Sequence, residues 1–471
     1  MTHSLDPKNW SAFRQRAHAM LDAAIDHMEG YTDGPVWTPP DTADTSISKD
    51  PLGENGTDDR LKALLPYGVG NTHPRFLGWV HGAGTPSGLI ADMMTSAINA
   101  NCGGRYHAAI EVERELIRWA LNLFEFPDTG SGLITTGTSM ATVIALKAAR
   151  DHALSFESRK AGLTSTPRLV GFTSAGGHNC LSRSFDLLGL GADALISIPL
   201  DDHGRMDVSA LRSAIADCRD RGERPFTICA TAGTVNRGAI DPLDDIASFA
   251  AEESLWFHVD AAFAAALKLS PQHAVKLSGL DKADSMAFDF HKWMQVNYDA
   301  GCVLLRDEKI HRRSFSDRPA YLTAATEGLA AGNPWPVEYG PELSRGFRAL
   351  KVWAQIQEFG AARLGQVVDA NISQAAYLAN RVSSSDPLEL LSYDGLNICC
   401  FRYTRPGLSE AELDSFNERL VIALQMDGVA APSTTRIGEK LAIRVNITNH
   451  RTRHEDMDIL LQAVLAFGRD L

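Results

Sequence analysis

From about residue 111 the chain repeats one pattern: a short β-branched, apolar run, then a longer stretch with apolar positions at helical spacing. The runs are GLITT, LVGFTS, LISIPL, FTICATA, LWFHVDA, SMAFDF and CVLLRD. Near-continuous apolar strands are covered on both faces, and the stretches between them are long enough to be crossover helices. The pattern therefore predicts an α/β fold with a mostly parallel central sheet and helices on both sides. Ligands of such sheets bind beyond the carboxyl ends of the strands, so the residues to inspect are those where each run stops.

The 471 residues exceed the about 250–300 that one hydrophobic core serves, so more than one core is expected. Residues 1–110 read as an N-terminal helical arm and dimer-packing segment. Trp10, Phe13, Ala17, Leu21, Ile25 and Met28 recur at helical spacing before Gly30 and the Pro-rich VWTPPD break the pattern. Residues 111–365 form the large domain. After a long helix starting near Arg348, the order helix, strand NICCFRY, helix, strand KLAIRVNIT, helix predicts a small C-terminal α+β domain over 366–471.

Several classes are disfavoured. With 45 basic and 58 acidic side chains the net charge is −13, which argues against nucleic acid and membrane surfaces as partners. No window reaches the ~18 apolar residues of a membrane span and the N-terminus lacks a signal pattern, so a cytoplasmic protein is expected. The seven cysteines are odd in number and lack C-x-x-C spacing, which argues against disulfides and structural zinc; no metal is expected. Cys399-Cys400 reads as strand filler. Gly189-Leu190-Gly191 imitates a dinucleotide fingerprint but precedes a strand instead of following one.

Five run ends carry chemistry. SMAFDF ends in His291-Lys292, and a desolvated lysine at a strand end is a candidate Schiff-base amine; a solvated edge lysine is the alternative. LWFHVDAAF ends in Asp260, a candidate carboxylate for the protonated ring nitrogen of pyridoxal 5′-phosphate (PLP), with Ala262 small enough to lie against the ring. Helix capping is the other reading of Asp260. GLITTGTSMAT runs through Thr138 and Ser139 into a helix, a phosphate-type anion site or a plain N-cap. LVGFTSAGGHNC places His178 in a Gly-rich turn, able to stack on a ring or to serve structure alone. ICATAGTVNRGAIDP offers Thr231, Gly233 and Thr234 near the cofactor, and Asp241 either supports Asp260 or caps the helix near Pro242.

Taken in order, GTSMAT, GGHN, TAGTVNRGAIDP, HVDAA and DFHKW resemble the group II PLP-dependent decarboxylases, the family of aromatic L-amino-acid, histidine and glutamate decarboxylases. The resemblance runs from about Leu64 to the C-terminus. It implies a PLP-dependent transferase fold of type I, aspartate-aminotransferase-like, and a homodimer with active sites at the interface. It also implies that Lys292 carries the cofactor with His291 beside it, Asp260 pairs with the ring nitrogen, His178 stacks on the ring, and Thr138 with Ser139 takes the phosphate. The family's loop after the lysine bears a tyrosine that returns a proton to the α-carbon, and here SFSDRPAYLTA puts Tyr321 there; an ordinary surface tyrosine is the alternative. In related aldehyde synthases a phenylalanine stands at that position. Two departures, Thr-Ser-Met in the phosphate turn and Val235 where a hydroxyl residue is common, touch the cofactor surroundings.

NTHPRFLGWVHGAGTPSG matches the family's substrate entrance, so Phe76, Trp79, Val80 and His81 are candidate pocket residues. An aromatic wall favours a tyrosine-, tryptophan- or phenylalanine-like amino acid substrate, decarboxylated to the amine. An acidic substrate would need a cation, for which Arg75, Arg105 and Arg345 are available. An aldehyde-forming oxidative deaminase, an aminotransferase and a non-catalytic PLP-binding protein are the competing readings on this fold.

Overall fold

The computed structural model describes residues 4–163, 167–317 and 325–471. Its strands are β1 (Phe76–Leu77), β2 (Ser131–Thr135), β3 (Leu169–Ser174), β4 (Leu195–Ile198), β5 (Arg224–Thr231), β6 (Trp256–Asp260), β7 (Ser285–Asp289), β8 (Gly301–Leu305), β9 (Leu388–Ser392), β10 (Ile398–Tyr403), β11 (Ala431–Ile437) and β12 (Lys440–Asn446). The seven runs read from the sequence are β2 to β8. They form one sheet in the order β2-β8-β7-β6-β5-β3-β4.

Strands β4, β3, β5, β6 and β7 are mutually parallel, and β8 runs against both β7 and β2. The reason lies in the connections. Helices such as Cys180–Leu187 and Leu243–Glu252 cross over between parallel neighbours, whereas β7 and β8 are joined only by Phe290–Ala300, too short for a crossover. That short return carries His291 and Lys292. Strands β6 and β7 are buried at every position, as expected of a sheet covered on both faces.

The second sheet, β1-β11-β12-β10-β9, holds more strands than the two read from the sequence. β11 escaped because APSTTRI is polar and contains Pro432, and β9 because LELLS is short and only half-buried. β1 comes from the N-terminal segment and pairs in parallel with β11, Phe76 opposite Ala431. Residue 111 falls within the helix Ala108–Leu123 and residue 366 within the helix Ala349–Ser383, which is broken at Gly360 (φ 69°) and packs against β9 and β10 of the second sheet. The N-terminal helix Trp10–Glu29 buries none of its residues: Trp10 is 64% and Ile25 47% exposed. Among the described residues no helix is long and apolar enough to cross a membrane, and no cluster of three or more His, Cys, Asp or Glu side chains is arranged to hold a metal.

Candidate active site

Parallel pairing sets the strand ends side by side. Thr231 of β5 lies opposite Asp260 of β6, which lies opposite Ala287 of β7. Beyond the register the backbones stay linked, with Asp289 N–H donating to the Ala262 carbonyl at 3.0 Å. Asp260 is 2% exposed; its Oδ1 accepts the Ala262 N–H at 3.1 Å and its Oδ2 faces the Cys180 thiol at 3.6 Å. Burial raises the Asp260 pKa, opposed by the charges of Lys292 and His178.

Lys292 Nζ lies 2.9 Å from Asp289 Oδ2. Burial pulls its pKa down, but Asp289, through charge and hydrogen bond, and Asp260 behind it outweigh burial, and the net direction is up. Asp289 Oδ1 accepts the Thr138 N–H at 2.7 Å, tying the end of β7 to the start of the helix Thr138–Ala153. Thr138 is buried and Ser139 exposed. His291 lies tilted against Tyr298 (4.4 Å between centroids, 37° between planes), and its Nδ1 accepts the Ala300 N–H at 3.0 Å. His178 is solvent-accessible, and its Nδ1 accepts the Cys180 N–H at 3.2 Å. Partial burial of the ring lowers its pKa, and the Asp260 charge opposes this.

Asp241 does not cap the helix near Pro242. Its carboxylate accepts the backbone N–H groups of Thr231 and Met206, each at 2.7 Å, so it braces the end of β5; the helix that follows has no side-chain cap. Burial pushes its pKa up to about 6 despite those donors.

The entrance segment passes directly against the lysine. Gly82 N–H donates to the His291 carbonyl at 3.2 Å, and a Cβ on Gly82 would collide with the carbonyls of His291 and Lys292. Its four candidates divide. Phe76 is a core residue beside Val36 and Ala431, and Val80 joins the main core, because β1 is buried in the small sheet. Trp79 is 52% exposed with φ 46°, a strained conformation for a bulky residue. His81 lies 6.3 Å from Trp79 and 5.9 Å from Tyr298, ring to ring. Burial, with Lys292 and His291 nearby, lowers its pKa.

A family model described as the pyridoxal-dependent decarboxylase conserved domain matches residues 40–404. The chain belongs to the pyridoxal-dependent decarboxylases. The aromatic-L-amino-acid decarboxylase of Bacillus atrophaeus is 33% identical over 476 residues, covering 97% of this chain and 96% of the relative. Acidic amino acid decarboxylase GADL1 of Xenopus tropicalis is 28% identical, covering 87% of this chain and 82% of the relative. The crystal structure of Oryza sativa TDC with PLP and tryptamine shares the fold, with a TM-score of 0.90 at 23% identity over 99% of both chains.

The residues of this decarboxylase fit its cofactor. Thr138 Oγ1 and Thr231 Oγ1 are buried without a hydrogen-bond partner among the described residues, a cost that a ligand's acceptors would remove. Asp260 Oδ2, facing only a thiol, has acceptor capacity to spare for a ring N–H.

Arginines divide the decarboxylase's substrate question. Arg345 is taken: Glu113 holds it through contacts of 2.6 and 3.1 Å, both side chains buried. Arg75 is bound to the Val429 carbonyl at 2.7 Å and lies 3.4 Å from Asp456, while Arg105 lies over the Trp335 ring. The cation that sequence reasoning missed is Arg444 of β12, 3% exposed. Its Nε donates to the Val235 carbonyl at 2.8 Å and its Nη1 to the Trp79 carbonyl at 2.9 Å, while Nη2 is buried without a partner among the described residues. The available signal was a charged residue between Ile443 and Val445 in a strand. Asp289 and Tyr298 were also missed, and Tyr321 lies outside the described residues.

Proposed function

We propose that this decarboxylase converts an aromatic L-amino acid to the corresponding amine and CO₂, with Lys292 as the amine that carries the cofactor. PLP, when bound, supplies the electron sink for the pair left behind by CO₂. Asp260, buried and short of donors, is the anion that keeps a ring nitrogen protonated. Thr138 and Ser139, with Thr231, offer hydroxyls and helix-start amides to the phosphate, and His178, His291 and Ala262 line the space between. Tyr321 is the residue assigned to return a proton to the α-carbon.

The observation that carries the aromatic reading is Trp79: a half-exposed indole in strained backbone, anchored by a buried arginine next to the segment that lies against Lys292. Strain of this kind persists only where the surroundings enforce it, as at ligand sites. The named activity of the Bacillus relative, which this chain matches over nearly its whole length, supports the same class. A panel of amino acids scored for amine and CO₂ by mass spectrometry tests it; turnover of glutamate or aspartate with no aromatic turnover refutes it. The second reading, an acidic substrate, draws on Arg444, a desolvated cation without a carboxylate partner among the described residues, and on the GADL1 relative.

A homodimer fits the exposed apolar surface. Ile90, Met93, Met94 and Ile98 share the helix Pro86–Ile98, and Tyr106, Leu343 and Trp353 are also exposed. A cavity of about 960 Å³ lies among Ile98, Leu343, Phe347 and Trp353. The seven cysteines, all free and buried, suit a reducing, cytoplasmic compartment.

A further inference from the structure

Asp289 has no place in the roles above, yet it touches two of their parts. One carboxylate oxygen accepts the Thr138 N–H at 2.7 Å and the other lies 2.9 Å from Lys292 Nζ. The arrangement is built for it: a Cβ on Gly301 would lie 2.7 Å from Asp289 Oδ1 and against the backbone of Gly137. With Asp289 only 3% exposed and Lys292 partly buried, water screens the pair weakly.

Two difficulties arise when the cofactor arrives. An ammonium cannot attack an aldehyde carbon, so Lys292 must first lose a proton. A phosphate dianion at the start of the helix Thr138–Ala153 also meets an N–H already committed to a carboxylate, and the two anions repel each other. One proton transfer resolves both. We propose that Asp289 is a positioning residue that holds Lys292 as the ammonium until phosphate approaches, then takes its proton. The Nζ–H bond breaks, its electron pair stays on nitrogen, and the proton moves along the hydrogen bond to Oδ2. Lysine becomes a neutral amine and the carboxyl a neutral acid, which no longer repels the phosphate. This rests on the assignment of Thr138 and Ser139 to the phosphate and of Lys292 to the aldehyde.

Other titratable groups face the pair from neighbouring elements. His291 Nε2 lies 3.8 Å from Asp289 Oδ2. His81, His178, Cys180 and Asp260 act on or feel the charge of Lys292, and Tyr298 and Cys302 feel that of Asp289. None of these bridges Lys292 and Thr138 as Asp289 does.

The test is the rate of cofactor incorporation into apoenzyme, followed by absorbance against pH, with PLP and with pyridoxal, which lacks the phosphate. In the wild type the PLP profile is expected to extend about one pH unit further into acid than the pyridoxal profile, because only phosphate raises the proton affinity of Asp289. In Asp289→Asn, which mimics the neutral acid, the two profiles coincide, and incorporation at neutral pH is about tenfold faster than wild type with pyridoxal. Superimposable wild-type profiles overturn the proposal, and this comparison needs no variant to fold. Unequal affinities with superimposable profiles leave the phosphate assignment standing and remove Asp289 from proton transfer. Equal affinities for PLP and pyridoxal refute the phosphate assignment and take the proposal with it.

Discussion

Replacing Arg444 by methionine separates anchoring of Trp79, the proposed pocket wall, from general support of the fold. Burial pushes the guanidinium from its ordinary 12.5 down to about 10, which corresponds to about 3 kcal/mol spent on keeping it charged. Methionine removes that cost. Against it, the Val235 and Trp79 carbonyls and the Ser433 hydroxyl each lose a donor, at about 1–3 kcal/mol for an acceptor left buried. Trp79, half-exposed, is free to relax from its positive φ, which returns about 1–2 kcal/mol, and its carbonyl then meets water. The opposing contributions nearly cancel, so global stability in urea changes by about 2 kcal/mol or less. Catalysis does not share in the cancellation, because the wall has moved: an aromatic contact of about 1–1.5 kcal/mol is lost, and kcat/KM for aromatic substrates falls about tenfold. The assay is urea unfolding beside kcat/KM on tryptophan, tyrosine and phenylalanine. A variant that keeps its aromatic kcat/KM refutes the anchoring argument, and one that unfolds far more easily shows that the stranded acceptors were undercounted. Activity lost on glutamate alone favours the acidic reading.

Other expectations follow from the same contacts. Lys292→Ala abolishes covalent cofactor attachment, so borohydride-treated protein carries no cofactor mass at position 292 in a peptide map. Tyr321→Phe shifts products from amine toward aldehyde with release of hydrogen peroxide; an unchanged amine yield removes Tyr321 from proton return. Glu113→Gln strands the Arg345 cation in the core, costs about 3–5 kcal/mol and lowers the urea midpoint, whereas unchanged stability contradicts the buried pair. His258 and His311 are both pushed down to about 3 by burial. Since the unfolded chain takes up protons below about pH 6.5 and the folded one does not, their contribution is fully present above pH 6.5. It is lost as pH falls toward 3, at about 1.4 kcal/mol per pH unit for each. A urea midpoint that stays constant between pH 7 and pH 5 refutes this.

What the sequence made legible, and what it hid, follows from how far each interaction reaches along the chain. Strand ends are local: an apolar run stops, and the next residue lies at the open edge of the sheet. Asp260 and the His291-Lys292 pair were visible for that reason, and the register that sets Thr231, Asp260 and Ala287 in line needs only parallel neighbours. Arg444 reaches Trp79 across 365 positions and Val235 across 209, so nothing near it in the sequence announces either partner. The burial of Phe76 was hidden for the same reason: it comes from the pairing of β1 with β11, far away in sequence, while the ring still lies 6.0 Å from Trp79 and 5.5 Å from His81. Asp289 was hidden differently, since its position at a strand end was legible. The meaning of that position depends on the Thr138 N–H, brought to it by the antiparallel return of β8 between β7 and β2. If the rule is right, errors of reading in this decarboxylase concentrate where the small sheet meets the entrance segment. Substitutions on β11 and β12 that face Trp79, such as Ser433→Ala, will then alter substrate preference more than cofactor binding. Measured cofactor affinity falling in step with kcat/KM in Ser433→Ala argues instead that the small sheet supports the whole site and does not tune its wall.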